Sequence, residues 1–276
     1  MKEEIGRVVV PLDAAADDRA AIDTAARLAQ RWHVPLHGVF VEDEELLGLA
    51  GLPFAVEVTR RGREKLTQRH VEAHLRAFAD RARRELEAAA ARHHAESSFA
   101  VVRGPLAAAL RDRDFVVAGA ATRPVGGHFR VRSRWWAGRA ATRHPLFLAQ
   151  RGWQTGGSVM TVLARPGREA ARLLQLAAEI AGLGSRALKV LGAADLAAPD
   201  ALAHWVAEIL GEAAIELSTE PAPGEPRSLR RRAAELDCRL IVLAADAAGG
   251  LPEGVAELVE EAGCDLLVVG GAEAGE

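Results

Sequence analysis

The sequence predicts an α/β fold in which two similar units follow one another along the chain. Short apolar runs rich in β-branched residues alternate with segments of helical spacing, and this alternation recurs in the second half. The apolar runs are continuous rather than interrupted by polar residues, which is typical of strands in a parallel sheet covered on both faces. The 276 residues are enough for two domains of about 140 residues, each with its own core.

Five strands and two helices are predicted in the first half. The strands are Arg7–Leu12, Leu36–Val41, Phe99–Val102, Phe115–Gly119 and Leu146–Ala149. A helix over Ala20–Arg31 has one apolar face, and Asp17 or Asp18 can cap its start. The spacing of apolar residues predicts one long amphipathic helix over Val56–His93. The apolar loop before it, Leu46–Phe54, should pack on the second domain or on a partner.

The second half repeats this plan after a linker at Gln150–Gly157. Strands are predicted at Val159–Ala164, Ala187–Leu191, Ile215–Thr219, Leu240–Ala244 and Leu266–Val269, and helices at Arg168–Ala181, Pro199–Gly211, Arg227–Leu236 and Glu253–Glu261. At an offset of 152 residues the first strand, helix and second strand of the two halves align without a gap. This offset places Asp13 on Arg165, and it indicates an old duplication.

The net charge of −3 is unevenly distributed. Residues 1–150 have 24 Lys and Arg against 19 Asp and Glu, whereas residues 151–276 have 11 against 19. Any anion site is therefore expected in the first half, where residues 121–143 contain six arginines and no acid. Two cysteines without metal spacing, no long apolar run and no signal-like start predict a cytoplasmic protein.

Several segments resemble the universal stress protein family. In the first half these are RVVVPLD from Arg7, HGVFVED from His37, FVVAGAATR from Phe115 and HPLFLA from His144, and in the second half CDLLVV from Cys264. The resemblance implies two tandem Rossmann-like (adenine nucleotide alpha hydrolase-like) domains, residues 1–150 and 158–276. Each would be an open five-stranded parallel sheet in the order 3-2-1-4-5 with helices on both faces. Family members pair through the fifth strand, which a tandem chain can do within itself.

The resemblance also implies a site for ATP in the first domain. Members that bind ATP have an aspartate after the first strand, an adenine-packing residue after the second, and a G-x2-G-x9-G-[ST] motif after the fourth. The matching positions of this chain are Asp13, Val41, Gly119, Thr122, Arg132 and Ser133. Thr122 and Arg132 replace glycines whose backbone would contact phosphate.

Two outcomes follow from these departures. Either the nucleotide site is lost, or Arg132 binds phosphate by its side chain together with Arg123, Arg130 and Arg134. The second domain has Arg165 in place of the aspartate and no room for the motif in residues 244–253, so no nucleotide is expected there.

Other constellations are weaker. His70 and His74 have metal-ligand spacing but lie beside arginines, so a solvated helix face is expected; His93 and His94 should interact with the negative end of their helix. Asp112 and Asp114 precede the fourth strand, away from where ligands bind α/β sheets, so structural or surface roles are expected. Cys238 and Cys264 enter adjacent strands and are expected to be buried free thiols. Trp135 and Trp136 suggest nucleic acid, but packing of their loop is favoured.

These observations favour a non-enzymatic stress-response module that binds ATP, AMP or another phosphorylated ligand in its first domain. The alternative is a nucleotide-free scaffold with a decayed site, which binds a protein partner through Leu46–Phe54 and the helix after it. No catalytic constellation, metal site, membrane contact or nucleic-acid role is expected. The two domains are expected to pair within the chain, and two chains could associate further.

Overall fold

The computed structural model describes residues 5–13, 18–42, 47–48, 50, 52, 54–59, 62–119, 144–149, 152–153, 155–163, 167–184, 186–192, 199–211, 217–221, 226–244 and 264–270. The chain divides into two compact units, one over Ile5–Trp135 and the other mainly over Trp136–Glu276. Each unit contains parallel strands with helices packed on them, which confirms the predicted α/β class.

The first unit has a sheet of four parallel strands in its described part. Its elements are β1 (Arg7–Leu12), α1 (Arg19–Trp32), β2 (Leu36–Glu42), β3 (Val56–Thr59), β4 (Gly62–Lys65), α2 (Gln68–His93), β5 (Ser97–Arg103) and β6 (Asp114–Gly119). The hydrogen-bonded order is β5-β2-β1-β6. The chain thus moves from β1 to β2 on one side, and returns after β5 to the other side of β1.

Helices α1 and α2 lie on the same face of this sheet and pack against each other. A Cβ added to Gly38 of β2 would lie 2.8 Å from Leu86 Cδ2 of α2, so glycine allows the helix to approach the sheet closely. On the opposite face, Leu106 of a single 3-10 turn (Leu106–Ala108) packs on Val9 and Val39. Among the described residues between β5 and β6, this 3-10 turn is the helical structure that connects the two strands.

The prediction of one helix over Val56–His93 is wrong in its first third. Residues 56–59 and 62–65 pair as the antiparallel strands β3 and β4, and α2 begins only at Gln68. Gly62 has φ of 132°, in the region where glycine is favoured, and Thr67 caps α2 by accepting a hydrogen bond from the His70 N–H at 3.3 Å. The alternating VEVT of β3 is the strand signal that helical spacing obscured.

A buried ion pair joins the amino-terminal ends of β1 and β6. The Arg7 guanidinium donates to both carboxylate oxygens of Asp114, at 2.6 and 2.8 Å, and to the Ala109 carbonyl at 3.0 Å. The Arg111 backbone N–H donates to the same carboxylate at 2.7 Å. Asp114 therefore has the structural role expected of it. Burial and the nearby Arg7 charge lower the pKa of His37, which lies beside this pair.

The second unit also contains a parallel sheet. Its elements are β7 (Leu146–Ala149), β8 (Ser158–Leu163), α3 (Arg168–Leu183), β9 (Ala187–Gly192), α4 (Pro199–Leu210), β10 (Leu217–Pro221), α5 (Pro226–Glu235), β11 (Cys238–Ala244) and β12 (Asp265–Val269). Strands β10-β9-β8-β11-β12 are parallel neighbours in that order. This is the order 3-2-1-4-5 within the unit. The predicted helix Glu253–Glu261 lies outside the described residues.

Strand β7 pairs with the last strand of the second unit. It runs antiparallel to β12, with Phe147 opposite Leu267. The sequence places β7 as the fifth strand of the first half, yet it belongs to the second compact unit. The fifth strands of the two halves are therefore hydrogen-bonded to each other within the chain.

Candidate ligand site at the carboxyl edge of the first sheet

The carboxyl ends of β1, β2 and β6 bring three of the predicted site positions together. Leu12, the last residue of β1, is opposite Phe40, so the parallel register continues to Asp13 beside Val41. On the other side of β1, Val9 is opposite Val116, and the same register continues to Leu12 opposite Gly119. Asp13, Val41 and Gly119 thus lie at one edge of the sheet, where the strand order reverses and α/β proteins bind ligands.

Side-chain alternation places Asp13 and Val41 on the same face. Gly38 is opposite Val10 and faces α2, so Pro11, Asp13, Val39 and Val41 belong to the other face. Val41 is half-buried against the cluster of Val9, Val39 and Leu106. Asp13 is half-buried and makes a polar interaction. An apolar wall with a carboxylate beside it suits a flat heterocycle that also donates hydrogen bonds.

An ion pair lies at the same edge. Glu42 follows Val41, and its carboxylate accepts a hydrogen bond from Arg103 Nε at 2.9 Å, while Arg103 Nη2 lies 2.9 Å from the same oxygen. Arg103 is the last residue of β5 and is directly opposite Glu42 in the register. The pair offsets the charge of a second carboxylate at this edge, which by the same alternation belongs to the face opposite Asp13. Arg103 was not predicted as a site residue from the sequence. Its position at the end of a predicted strand could have indicated that it lies at the ligand edge.

The chain leaves β5 by a sharp turn that positions the 3-10 turn. Gly104 has φ of 101°, a conformation that residues with a side chain rarely adopt, and nothing lies within 4 Å of the Cβ it lacks. Leu106 follows Pro105 and covers the sheet face next to Val41. This turn is a second part of the site that the sequence did not indicate.

The remaining predicted site residues lie outside the described part of the chain. These are Thr122, Arg132 and Ser133, together with Arg123, Arg130, Arg134, Trp135 and Trp136. The same holds for Arg165, which occupies the aspartate position after β8 in the second unit. Their roles stay predictions.

The helix face of the first unit has an ion cluster that the sequence did not predict. Asp23 of α1 interacts with His93 Nε2 at 2.9 Å, with Arg27 at 3.1 Å and with Arg92 at 3.5 Å. Burial raises the pKa of Asp23, but the hydrogen bonds from His93 and Arg27 outweigh it, and the pKa is lowered. His93 therefore joins the two helices as well as lying at the end of α2. Asp18, expected as a cap, makes no capping hydrogen bond through its side chain.

The described part of the apolar segment before α2 is partly covered. Ala50 is buried and Leu52 half-buried, whereas Phe54 is 75% exposed and Val56 52% exposed. His70 and His74 of α2 are exposed and have polar partners. Throughout the described ranges, no three His, Cys, Asp or Glu side chains are grouped as a metal site would require.

Cys238 and Cys264 are both buried, as expected, and the structure brings them into contact. The Cys264 thiol donates to the Cys238 carbonyl at 3.0 Å, and the Cys238 thiol donates to the Leu240 carbonyl at 3.1 Å. A hydrogen bond with the Cys264 thiol, together with burial, raises the pKa of Cys238 well above its ordinary value. In the part of the chain that the structure describes, no helix is long and apolar enough to span a membrane.

Comparison with known proteins finds a family model that matches the first half of the chain. Residues 4–124 match the model of the Universal stress protein family. A search of curated proteins by sequence finds no match.

Solved structures align along nearly the whole chain. A universal stress protein from Archaeoglobus fulgidus DSM 4304 is 12% identical with a TM-score of 0.66, and 98% of each chain is covered. A protein of unknown function from Pseudomonas aeruginosa PAO1 is 17% identical with a TM-score of 0.62, covering 98% of this chain and 94% of that one. The cytoplasmic domain of a prokaryotic cation chloride cotransporter is 13% identical with a TM-score of 0.50, covering 96% and 95%. These similarities show the fold.

Proposed function

Because residues 4–124 belong to the universal stress protein family, we propose that the chain is a stress-response protein that binds an adenine nucleotide in its first unit. The observation that carries this proposal is the register of β1, which brings Asp13, Val41 and Gly119 to the carboxyl edge of the sheet where the strand order reverses.

The chemistry of this edge supports an adenine ring as the bound group. A carboxylate accepts hydrogen bonds, so Asp13 can accept from the exocyclic amino group of adenine or from a ribose hydroxyl. The half-buried Val41 offers an apolar surface against which the ring can pack. The pairing of Glu42 with Arg103 offsets a negative charge at this edge that would otherwise repel phosphate.

The arginines after β6 support phosphate as the second bound group. Six arginines and no acid lie in residues 121–143, directly after Gly119. Guanidinium groups bind phosphate through two parallel hydrogen bonds, which would substitute for the close backbone approach that glycines allow and that Thr122 and Arg132 hinder. ATP would then be held by Asp13 and Val41 at the adenine, and by Arg132, Ser133 and neighbouring arginines at the phosphates.

Calorimetric titration tests this proposal. The full chain is titrated with ATP, AMP and inorganic phosphate, with Asp13→Ala and Arg132→Ala as test variants. Asp112→Ala is the matched control, because Asp112 is an exposed carboxylate before β6, at the opposite edge of the sheet. We expect Asp13→Ala to weaken ATP and AMP binding at least tenfold, and Arg132→Ala to weaken ATP more than AMP. No heat at millimolar nucleotide with the wild-type chain refutes the proposal.

A second candidate function is partner binding at the apolar segment before α2. The 75% exposure of Phe54 and the 52% exposure of Val56 favour it, because large apolar side chains at the surface commonly mark contacts. A photo-crosslinker at position 54 in cells, compared with one at the exposed Gln68, tests it. One defined protein captured from position 54 alone supports partner binding, and equal patterns from both positions exclude it.

We further propose that the protein is non-enzymatic and cytoplasmic. The sequence contains no G-x-S-x-G nucleophile motif, and Ser133 has no base beside it along the chain. Two buried free thiols fit a reducing compartment. When the protein is incubated with ATP for hours and the mixture is followed by chromatography, the ATP should stay intact. Steady formation of ADP would refute the proposal that the protein is non-enzymatic.

A further inference from the structure

The two cysteines of the second unit are brought together by an irregularity in β11. Along β8, Ser158 is opposite Cys238 and Val159 is opposite Leu240, so Arg239 is an extra residue in β11. A bulge of this kind interrupts the regular alternation of side chains. Ser158 and Val159 point to opposite faces, and therefore Cys238 and Leu240 do so too.

This irregularity determines which face the Cys238 thiol occupies. Leu240 is opposite Asp265 in the parallel pair β11–β12, and Cys264, one residue earlier, points to the other face. Without the bulge, Cys238 would share the face of Leu240 and be separated from Cys264 by the sheet. With the bulge, both thiols lie on one face, which agrees with the hydrogen bond of the Cys264 thiol to the Cys238 carbonyl at 3.0 Å.

The spacing of the two residues suits a disulfide. They lie on adjacent strands, one step apart along the strand direction, so strand spacing and residue rise place their Cα atoms about 6 Å apart. Disulfides require a Cα separation of roughly 4.4 to 6.8 Å. Both side chains are buried, at 7% and 4% exposure, so a third thiol has little access to either of them.

We propose that Cys238 and Cys264 form a reversible intrachain disulfide under oxidation, which links β11 to the start of β12. With hydrogen peroxide as the oxidant, the thiolate of one cysteine attacks a peroxide oxygen, forming a sulfenic acid and releasing water. The second thiol then attacks that sulfur, forms the S–S bond and releases a second water. Two thiols lose two hydrogens and two electrons, and one peroxide becomes two waters.

The disulfide would act on strands of the second unit. Strand β12 pairs with β7, so the bond would connect β8 and β11 to the strand pair β12–β7. The raised pKa of Cys238 keeps the thiol protonated, and the oxidation should therefore be slower than that of an exposed cysteine. Oxidation would strengthen the second unit without a change in the ligand edge of the first. This inference does not rest on nucleotide binding.

Mass spectrometry of the full chain tests the proposal. The protein is incubated with hydrogen peroxide, and in parallel with oxidised glutathione for a day, then unfolded and alkylated with N-ethylmaleimide. We expect a monomer about 2 Da lighter that takes up no label, and recovery of two labels after dithiothreitol. A peptide map should show the two cysteines joined.

Single variants supply the control. Cys238→Ala and Cys264→Ala should each abolish the 2 Da loss, and circular dichroism verifies that each variant is folded. In wild type, the urea midpoint of the second unit should rise on oxidation, while hydrogen exchange of β1 and β2 stays unchanged. Stepwise addition of oxygen without the 2 Da loss, disulfides between chains only, or two alkylatable thiols after both oxidants would each overturn the proposal.

Discussion

The ion pair between Arg7 and Asp114 should be among the largest single contributions to the stability of the first unit. Asp114 is 3% exposed and accepts three hydrogen bonds, two from Arg7 and one from the Arg111 backbone. In Asp114→Ala the Arg7 guanidinium stays buried and keeps only the Ala109 carbonyl. Removing one partner of a buried pair typically costs about 3 to 5 kcal/mol.

That cost is large compared with the stability of a domain, which is about 5 to 15 kcal/mol. It corresponds to a Tm decrease of roughly 6 to 20 °C, since each kcal/mol shifts Tm by about 2 to 4 °C at this size. The change is measured by urea and thermal unfolding followed by circular dichroism. Hydrogen exchange of peptides from β1 and β6 assigns the loss to the first unit.

Two further variants separate the lost pair from general damage. Asp112→Ala, an exposed neighbour, should change stability by less than about 0.5 kcal/mol. Arg7→Met combined with Asp114→Asn should recover about half of the loss, because no unpaired charge is then buried. If Asp114→Ala loses less than about 1 kcal/mol, the pair behaves as a surface salt bridge and the reasoning is refuted.

Three more predictions follow from local geometry. Gly38→Ala should lose about 1 to 3 kcal/mol in urea unfolding because its Cβ would meet Leu86 at 2.8 Å, whereas Gly48→Ala, with nothing within 4 Å, should not. Asp23, whose pKa is lowered, should stabilise the chain above about pH 4 and lose this effect as the pH falls through its folded pKa. The stability difference between wild type and Asp23→Asn should therefore shrink between pH 6 and pH 3, and a constant difference contradicts this. Thr67→Ala should lose about 1 kcal/mol in thermal unfolding through the lost cap of α2, and no loss would show the cap to be unimportant.

The long segment Val56–His93 shows why some elements were not predictable. Its apolar residues have helical spacing from Leu66 onward, and this spacing correctly predicted the helix from Gln68. Strands β3 and β4 before it depend on the positive φ of Gly62 and on pairing with each other. Strand pairing depends on hydrogen bonds and side-chain contacts between the two strands, which the spacing of apolar residues in a segment does not report.

The candidate site was also predictable only in part, because some of its contacts depend on strand pairing. Asp13, Val41 and Gly119 each follow or end an apolar run, so their common edge follows from parallel topology alone. The opposition of Arg103 and Glu42 required the register of β2 with β5, and the cover of Val41 required the path of the turn after Gly104. Both depend on contacts between residues far apart in the chain.

The sequence by itself determined the α/β class, the positions of nearly all strands, the repeated pattern at an offset of 152 residues and the basic character of the first half. These features depend on the periodicity and charge of short segments, which can be read directly from the order of the residues. Only the tertiary structure decided that β7 pairs with β12, that Asp114 is held by Arg7, and that a bulge at Arg239 brings Cys238 to Cys264. Each of these is a choice of partner or register between distant segments, and it depends on how those segments pack.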